Sequence, residues 1–337
     1  MRTGTNCSKI LWFCLFRQLA LLAEPISAGE PPPRSSGLVQ QSRAATFEIV
    51  LGRLTMDSCR YAPMKREACD EINGEREFLC VSATFGRPSL HYSSHSDHGR
   101  LTIDIADATQ LTIEQTVIDS GKTTKLQFFQ PHAGPMRLIL SRESEVKIDL
   151  KAASLWHFYA QHADICNQWM SPVICRLVRD FEPREHLLQV NVMLQQQLGR
   201  ELSVRREIVS SLVSELGSDS KEKRVLAQQS MLAIGVSVLP LVDEIKPANL
   251  NEEQKRRLES IRRKLRPFVS DRPEALACWL SADFEYWNTV AAQWPTADRL
   301  AASEHVRMVC GKPLPGELTG EPVGPVTRVA TRQSDRR

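Results

Sequence analysis

The spacing of apolar residues changes once along this chain, near Ala152, and this change limits the fold more than any other feature. From Arg100 up to that point, apolar and polar side chains alternate with a period of two, which is typical of strands with one buried face. Short turn segments separate the alternating stretches, so we expect an antiparallel meander of about four or five strands. The stretches are LTIDIAD (101–107), LTIEQTVID (111–119), KLQFFQ (125–130), MRLILS (136–141) and EVKIDL (145–150).

After Ala152 the period becomes helical and remains so through Gly311. One helical face is formed by apolar residues at positions i, i+3, i+4 and i+7, namely Val209, Leu212, Val213 and Leu216. Gly217 follows at the place where a left-handed residue ends a helix. Asp219 and Glu222 predict the next helix start, because their carboxylates can accept from the unpaired amides there. The sequence therefore predicts an α+β fold, with a small antiparallel β region followed by an α-helical array.

Within residues 205–266 the segment LGSDS, a charged helix, the segment AIGVSVLPLV and the charged helix NEEQKRRLESIRRKL occur in order. The residues that carry this pattern are Leu216, Gly217, Ala227, Leu232, Gly235, Leu239, Pro240, Leu241 and Arg257. This order resembles one unit of a HEAT-like helical repeat. The resemblance implies a HEAT-like array of stacked helix pairs with a protein-binding surface, and it implies no substrate. The whole layout is also similar to that of uncharacterised secreted bacterial proteins.

The N-terminus has the pattern of a secretory signal peptide over residues 1–28. Arg2 and Lys9 precede two apolar stretches, and the small residues at 26–28 form a cleavage-type exit. We therefore expect an exported protein that is periplasmic, in the cell envelope or extracellular, with an uncleaved anchor or a cytoplasmic chain as the alternatives. The predicted regions are a flexible linker at 29–43, a β-rich region at 44–151, a helical repeat-like domain at 152–313 and a disordered tail at 314–337.

Charge and cysteine content exclude some classes of protein. A net charge of +3 over 337 residues gives no nucleic-acid footprint. The nine cysteines include no CxxC pair, which argues against a zinc ribbon or a thioredoxin-like motif, and we found no convincing cysteine–histidine pair. We expect four of them to be small buried residues of helices: Cys166, Cys175, Cys278 and Cys310.

The densest group of potential metal ligands is the segment HYSSHSDHGR, which carries His91, His95 and His98. Three imidazoles and a water could hold zinc or copper. The segment shows no helical period and lacks an HExxH arrangement, so we expect an exposed polar loop and keep the metal site as the alternative. The sequence SGKTT at 120–124 lacks the first glycine of a phosphate-binding loop and precedes a strand, which argues against nucleotide binding.

A basic helix is predicted at 251–266, and its narrow apolar stripe consists of only three residues. Its arginines could contact an anionic group of a partner, although glutamates four residues before several of them also suit a solvated helix face. The predicted partner-binding residues are Arg256, Arg257, Arg262 and Arg263. We expect the tryptophans of the helical half to fill gaps between helices, and His157 to have a packing or capping role.

These observations together predict a non-enzymatic, exported interaction or scaffold protein. It would bind its partner through the surface of its helical-repeat array. No cofactor is predicted, and the expected partner is a protein. Two alternatives remain open: a metal-binding protein or metal-dependent enzyme that uses the segment 91–98, and a structural component of the cell envelope.

Overall fold

The structure is a computed structural model that describes residues 38–42, 45–57, 64–72, 74–84, 87–199, 204–266 and 270–315. Antiparallel strands fill the first half of this part of the chain and helices fill the second half, so the predicted α+β class is confirmed. The predicted signal peptide and residues 316–337 of the predicted tail lie outside the described residues.

The strands described by the structure are β1 (Thr46–Val50), β2 (Arg53–Asp57), β3 (Met64–Ile72), β4 (Glu75–Thr84), β5 (Arg87–Ser96), β6 (Gly99–Ala106), β7 (Gln110–Asp119), β8 (Lys122–Gln130), β9 (Met136–Arg142) and β10 (Glu145–Ala152). The strands β1 and β2 form a separate hairpin. The other eight form one antiparallel sheet in which each strand pairs with the next along the chain. The predicted meander is confirmed as β6–β10, and the sheet extends beyond it by three strands.

The helices described are α1 (Leu38–Ser42), α2 (Leu155–Gln161), α3 (Ala163–Ile165), α4 (Ser171–Leu177), α5 (Pro183–Gln197), α6 (Arg206–Glu215), α7 (Lys221–Ile234), α8 (Leu239–Asp243), α9 (Glu252–Leu265), α10 (Pro273–Leu280), α11 (Phe284–Ala291) and α12 (Thr296–Cys310). None of these is by itself long and apolar enough to cross a membrane. The two helical segments Lys221–Ile234 and Val236–Asp243, which meet at a bend of 105°, reach that length and composition only as a pair.

The sheet has one apolar face, and that face is buried. Because successive side chains of a strand point to opposite faces, every second residue contributes to this core. Helix α2 packs here, and the rings of Phe128 and Phe158 meet edge to face with centroids 6.1 Å apart. The inward-facing residues, each at most 5% exposed, include Leu79, Val81, Leu90, Tyr92, Ile103, Ile105, Leu111, Ile113, Leu126, Leu138 and Leu140.

A charged group from the helical half enters the same buried face. The Nη1 atom of Arg176 on α4 donates to Glu75 Oε1 at 2.7 Å and to Glu77 Oε1 at 3.2 Å, and it lies 3.0 Å from the hydroxyl of Tyr92. That hydroxyl donates to Glu77 Oε1 at 2.6 Å, and Glu77 Oε2 accepts the Leu38 N–H of α1 at 2.7 Å. Burial raises the pKa of Glu75, but hydrogen bonds from Arg176 and Ser94 outweigh it, so the pKa lies below its ordinary value.

We expect Arg176→Met to lower the free energy of unfolding by about 3–5 kcal/mol, because it leaves buried carboxylates without their positive charge. The matched control is Arg307→Met, which breaks an exposed pair with Glu304 and should cost less than about 1 kcal/mol. Urea denaturation of both variants provides the measurement. Equal losses in the two variants would contradict the role assigned to Arg176.

A second buried carboxylate joins the β1–β2 hairpin to the helices. Asp271 accepts hydrogen bonds from the backbone N–H groups of Leu51 at 2.7 Å and Gly52 at 2.6 Å, and from the Trp156 indole at 2.7 Å. Burial raises the pKa of Asp271, although these hydrogen bonds partly oppose that change. Gly52 has a positive φ of 66°, and a Cβ there would collide with Ser154. The turn between β1 and β2 is therefore fixed against α2.

The HEAT-like resemblance of residues 205–266 is wrong, because the helices do not form a repeat array. After α7 the chain forms only a 3-10 turn and the five-residue α8, so no helix of repeat length directly follows α7. The neighbours of α6 are α7, α8 and α12, and α10 packs against α5, so helices distant in the chain cover one another. The pattern that suggested a repeat consists of caps and amphipathic faces, which any packed pair of helices shares.

Several local expectations agree with the structure and two do not. Helix α7 ends at Gly235 as expected, and α9 begins after Asn251, whose side chain forms a capping box with Gln254. The segment 38–42, expected in the flexible linker, is α1, with Leu38 and Val39 buried. The segment 91–98, expected to be a polar loop, is mostly strand β5. The sequence does not show the apolar–polar alternation of a strand here, because the inward-facing residue at position 94 is a serine.

Candidate functional site

The outer face of the sheet carries a row of three chemically active side chains on adjacent strands. Cys80 on β4 lies opposite His91 on β5, and His91 lies opposite Asp104 on β6. Directly opposed residues in an antiparallel sheet have Cβ atoms about 5 Å apart on the same face. The strand register therefore places a thiol, an imidazole and a carboxylate side by side.

The imidazole is the centre of this row. Its Nδ1 atom lies 2.7 Å from Asp104 Oδ1, and the two side chains are 45% and 56% exposed. This hydrogen bond fixes the ring and leaves Nε2 to accept a proton. The thiol of Cys80 is half-buried and donates to Glu67 Oε1 on β3 at 3.9 Å. The thiol is thus in contact with a carboxylate on one side and has an imidazole as its cross-strand neighbour on the other.

A shallow groove of about 370 Å³ surrounds this row. Its hydrogen-bonding side chains, apart from the row itself, come from three strands: Ser82 from β4, Ser89 from β5, and Gln110 and Thr112 from β7. A second groove of about 570 Å³ lies at the strand ends, where its lining includes Arg87, Asp107 and His132. Both grooves are open, and each combines hydrogen-bonding side chains with a larger apolar surface, which suits contact with a partner or ligand.

The three histidines of the metal hypothesis are not placed together. His91 and His95 share the outer face of β5 but lie four residues apart, which is roughly 13 Å along a strand. His98 is in the turn that follows. In the described part of the chain no three His, Cys, Asp or Glu side chains are grouped so that they could hold a metal ion. The structure therefore does not bring His91, His95 and His98 together, and the metal hypothesis stays a prediction.

The four arginines predicted to bind a partner differ in their surroundings. Arg257 donates to Glu253 at 2.7 Å and to Gln228 at 2.8 Å, and its side chain is only 20% exposed. Arg262 holds Asp243 through two nitrogens, at 3.0 and 2.9 Å. Arg256 is 79% exposed, and Arg263 is exposed as well. The surface available to an anionic partner is therefore centred on Arg256 and Arg263, and their role stays a prediction.

Because Arg262 is paired and Arg263 is exposed, charge reversal at these two adjacent positions should change the melting temperature by different amounts. Arg262→Glu should lower the melting temperature, because it replaces an ion pair with two facing carboxylates at Asp243. Arg263→Glu, the same charge change one residue later, should leave the melting temperature nearly unchanged. Thermal melts at low and high salt provide the measurement, and salt should reduce the loss in the first variant. Equal melting temperatures would show that the Asp243 pair is unimportant.

A second group of Ser, His and Asp lies inside the helical half. His157 Nδ1 is 2.8 Å from the Ser154 hydroxyl, and His157 Nε2 is 3.3 Å from Asp283 Oδ2 on the other side. These are the residue types of a catalytic triad, but Ser154 and His157 are at most 1% exposed, and Ser154 lies directly against Gly52. Ser154 also caps α2 by accepting the His157 N–H. The group joins α2 to α11, in agreement with the packing role expected for His157.

The charge of Asp283 should make stability depend on pH. Burial raises its pKa, but the His157 imidazole and backbone N–H groups lower it more, so the folded-state pKa lies below the ordinary value. Its contribution is therefore fully present above the unfolded-state pKa of about 3.9 and is lost as the pH falls through the folded-state pKa. We expect Asp283→Asn to cost about 1–3 kcal/mol near neutral pH and progressively less below pH 4.

Urea denaturation from neutral pH into the acid range measures this effect. Asn retains the oxygen that caps α11, so the variant changes mainly the charge. Asp97→Asn, at an exposed turn, is the control. A loss that does not change with pH would contradict the assignment.

Sequence reasoning missed the pairing of Cys80 with His91. The two residues are separated by a hairpin, and their proximity depends on the register between β4 and β5. An alternation of apolar and polar residues would have predicted both β4 and β5 if all of their inward-facing residues were apolar. Glu77 and Ser94 occupy two of these inward positions, which removed the signal.

Comparison with known proteins gives no relative from which a role could be transferred. No protein-family model, no curated protein and no solved structure matches this chain.

Proposed function

We propose that the protein is a non-enzymatic, exported interaction protein whose contact surface is the outer face of the eight-stranded sheet and whose partner is a protein. The observation that carries this proposal is the size of that face. Strand spacing near 4.8 Å gives a width of roughly 35 Å, and strands of this length span about 25–30 Å. The resulting area of about 900 Å² matches the roughly 800 Å² that each partner contributes to a standard interface.

The chemistry of the face varies across the sheet. On β7–β10 the outward charges largely neutralise one another: Lys125 lies 3.1 Å from Glu114, and Arg137 binds Asp149 through two nitrogens at 2.8 and 2.7 Å. On β4–β6 the outward side chains include Phe78, His91, His95 and Arg100, together with the groove. Aromatic and arginine side chains are enriched in interfaces, so we place the centre of the contact on β4–β6.

The backbone of this region also favours binding over acyl-transfer catalysis. The strands β4, β5 and β6 are each paired on both sides, so their N–H groups are used in the ladders. Such a surface offers no backbone donors for an oxyanion, which acyl transfer requires.

Two parts of the proposal rest on sequence patterns alone. Export depends on the N-terminal pattern, which lies outside the described residues. A structural role in the cell envelope remains the alternative. The basic residues Arg256 and Arg263 remain predicted to form a second contact with the partner. A separate crosslinking residue on α9 tests this contact independently.

Site-specific photo-crosslinking in envelope extract tests the proposal. A crosslinking residue at Thr102, on the outer face of β6, should capture a discrete protein. Adding Ser93→Trp should abolish that adduct without changing the melting temperature, because position 93 lies opposite Thr102 and the bulky ring would block the surface. A matched crosslinking residue at Glu259 tests whether a protein binds at the α9 surface. An adduct at Glu259 with none at Thr102 would overturn the sheet-face proposal.

A further inference from the structure

The row of Cys80, His91 and Asp104 has a chemical capacity that partner binding does not require. An imidazole held by a carboxylate can accept a proton from a neighbouring thiol, and the thiolate is the reactive form of cysteine. His91 is held by Asp104 at 2.7 Å, and Cys80 is its direct neighbour on the opposite strand. The thiol is half-buried at the edge of an open groove, where a reagent can reach it.

We propose that Cys80 is a reactive thiol that undergoes exchange with small polar disulfides bound in the groove, and that His91 and Asp104 serve it as proton acceptor and positioning residue. This inference goes beyond the proposed function, since it needs no protein partner.

The exchange balances without any further reagent. The Cys80 thiol gives its proton to Nε2 of His91, and the resulting thiolate attacks one sulfur of the disulfide R–S–S–R. A new Cys80–S–S–R bond forms as the original S–S bond breaks. The leaving thiolate takes the proton from His91 and departs as R–SH.

The groove favours a disulfide over an acyl donor. Attack on a carbonyl needs donors for an oxyanion, whereas attack on sulfur needs only an accessible thiolate and a stable leaving thiolate. The volume of about 370 Å³ is at the small end of the range for ligand sites. Ser82, Ser89, Gln110 and Thr112 can hydrogen-bond the amide, amine or carboxylate groups of a small disulfide.

Glu67 contacts the same Cys80 thiol and competes with His91 for its S–H group. Its carboxylate accepts the S–H hydrogen bond of Cys80 at 3.9 Å, which directs the proton of the thiol towards β3 and away from His91. Rotation about χ1 of Cys80 moves the sulfur between staggered positions, and the proposed exchange uses a rotamer in which the sulfur turns from Glu67 towards His91, its cross-strand neighbour. Removing the charge of Glu67 should therefore accelerate the exchange, and removing His91 should slow it.

The chain offers an internal reference thiol. Cys69 is exposed on β3 and belongs to the same outer face, but it lies opposite Phe78 and has no histidine across the strand. Purified protein is treated with oxidised glutathione and, separately, with cystamine. After an acid quench, peptide mass mapping gives the rate of mixed-disulfide formation at each cysteine.

We expect Cys80 to react about tenfold or more faster than Cys69, even though Cys69 is more exposed. His91→Gln should reduce the rate at Cys80 to that at Cys69, Asp104→Asn should reduce it in part, and Glu67→Gln should increase it. Ser93→Ala, on the same strand and face, should change nothing. In urea the two cysteines should react equally, because the register that creates the row is lost.

Two outcomes would overturn the inference. One is a rate at Cys80 no greater than that at Cys69 in the folded protein. The other is an unchanged rate at Cys80 in both His91→Gln and Asp104→Asn, with circular dichroism showing that each variant is folded. Slow reaction with both oxidised glutathione and cystamine, at the rate of Cys69, would count against binding of these disulfides in the groove.

Discussion

The contact of Arg176 with Glu75 and Glu77 is the interaction on which the arrangement of sheet and helices depends. A buried carboxylate is tolerated only when it is paired and hydrogen-bonded. Glu77 is 6% exposed, and its partners come from α4, from β5 and from the start of α1. Replacing such a pair with apolar residues can be neutral, but removing one member is costly. The cluster therefore selects one way of placing the helices on the sheet.

Asp271 performs the corresponding task for the β1–β2 hairpin. It accepts two backbone N–H groups of the turn and the indole of Trp156, so the hairpin, α2 and the segment before α10 share one carboxylate. Three donors converge on its two oxygens, and such geometry is directional in a way that apolar contact is not. The apolar core supplies most of the burial, while these two acids specify which surfaces face one another.

Much of the fold follows from local patterns, and the missing parts share one physical cause. The strands β6–β10 were predictable because their inward residues are apolar, and α7 and α9 because their caps are local. The strands β4 and β5 were not, because Glu77 and Ser94 face inward. Their polarity is satisfied by Arg176, about a hundred residues later, and by Glu75. The HEAT-like interpretation failed for the complementary reason, since caps and helix faces do not determine which helices pack together.

The same non-local cluster explains why the Cys80–His91–Asp104 row lies on the outer face. A shift of one residue in strand register moves every side chain of that strand to the other face. The inward residues Glu77 and Tyr92 are held by Arg176, so β4 and β5 have fixed registers, and Cys80 and His91 must then point outward as an opposed pair. The row is thus a consequence of buried charges on the opposite side of the sheet. Loss of Arg176 would therefore affect stability and the reactivity of Cys80 together, although the arginine never touches the thiol.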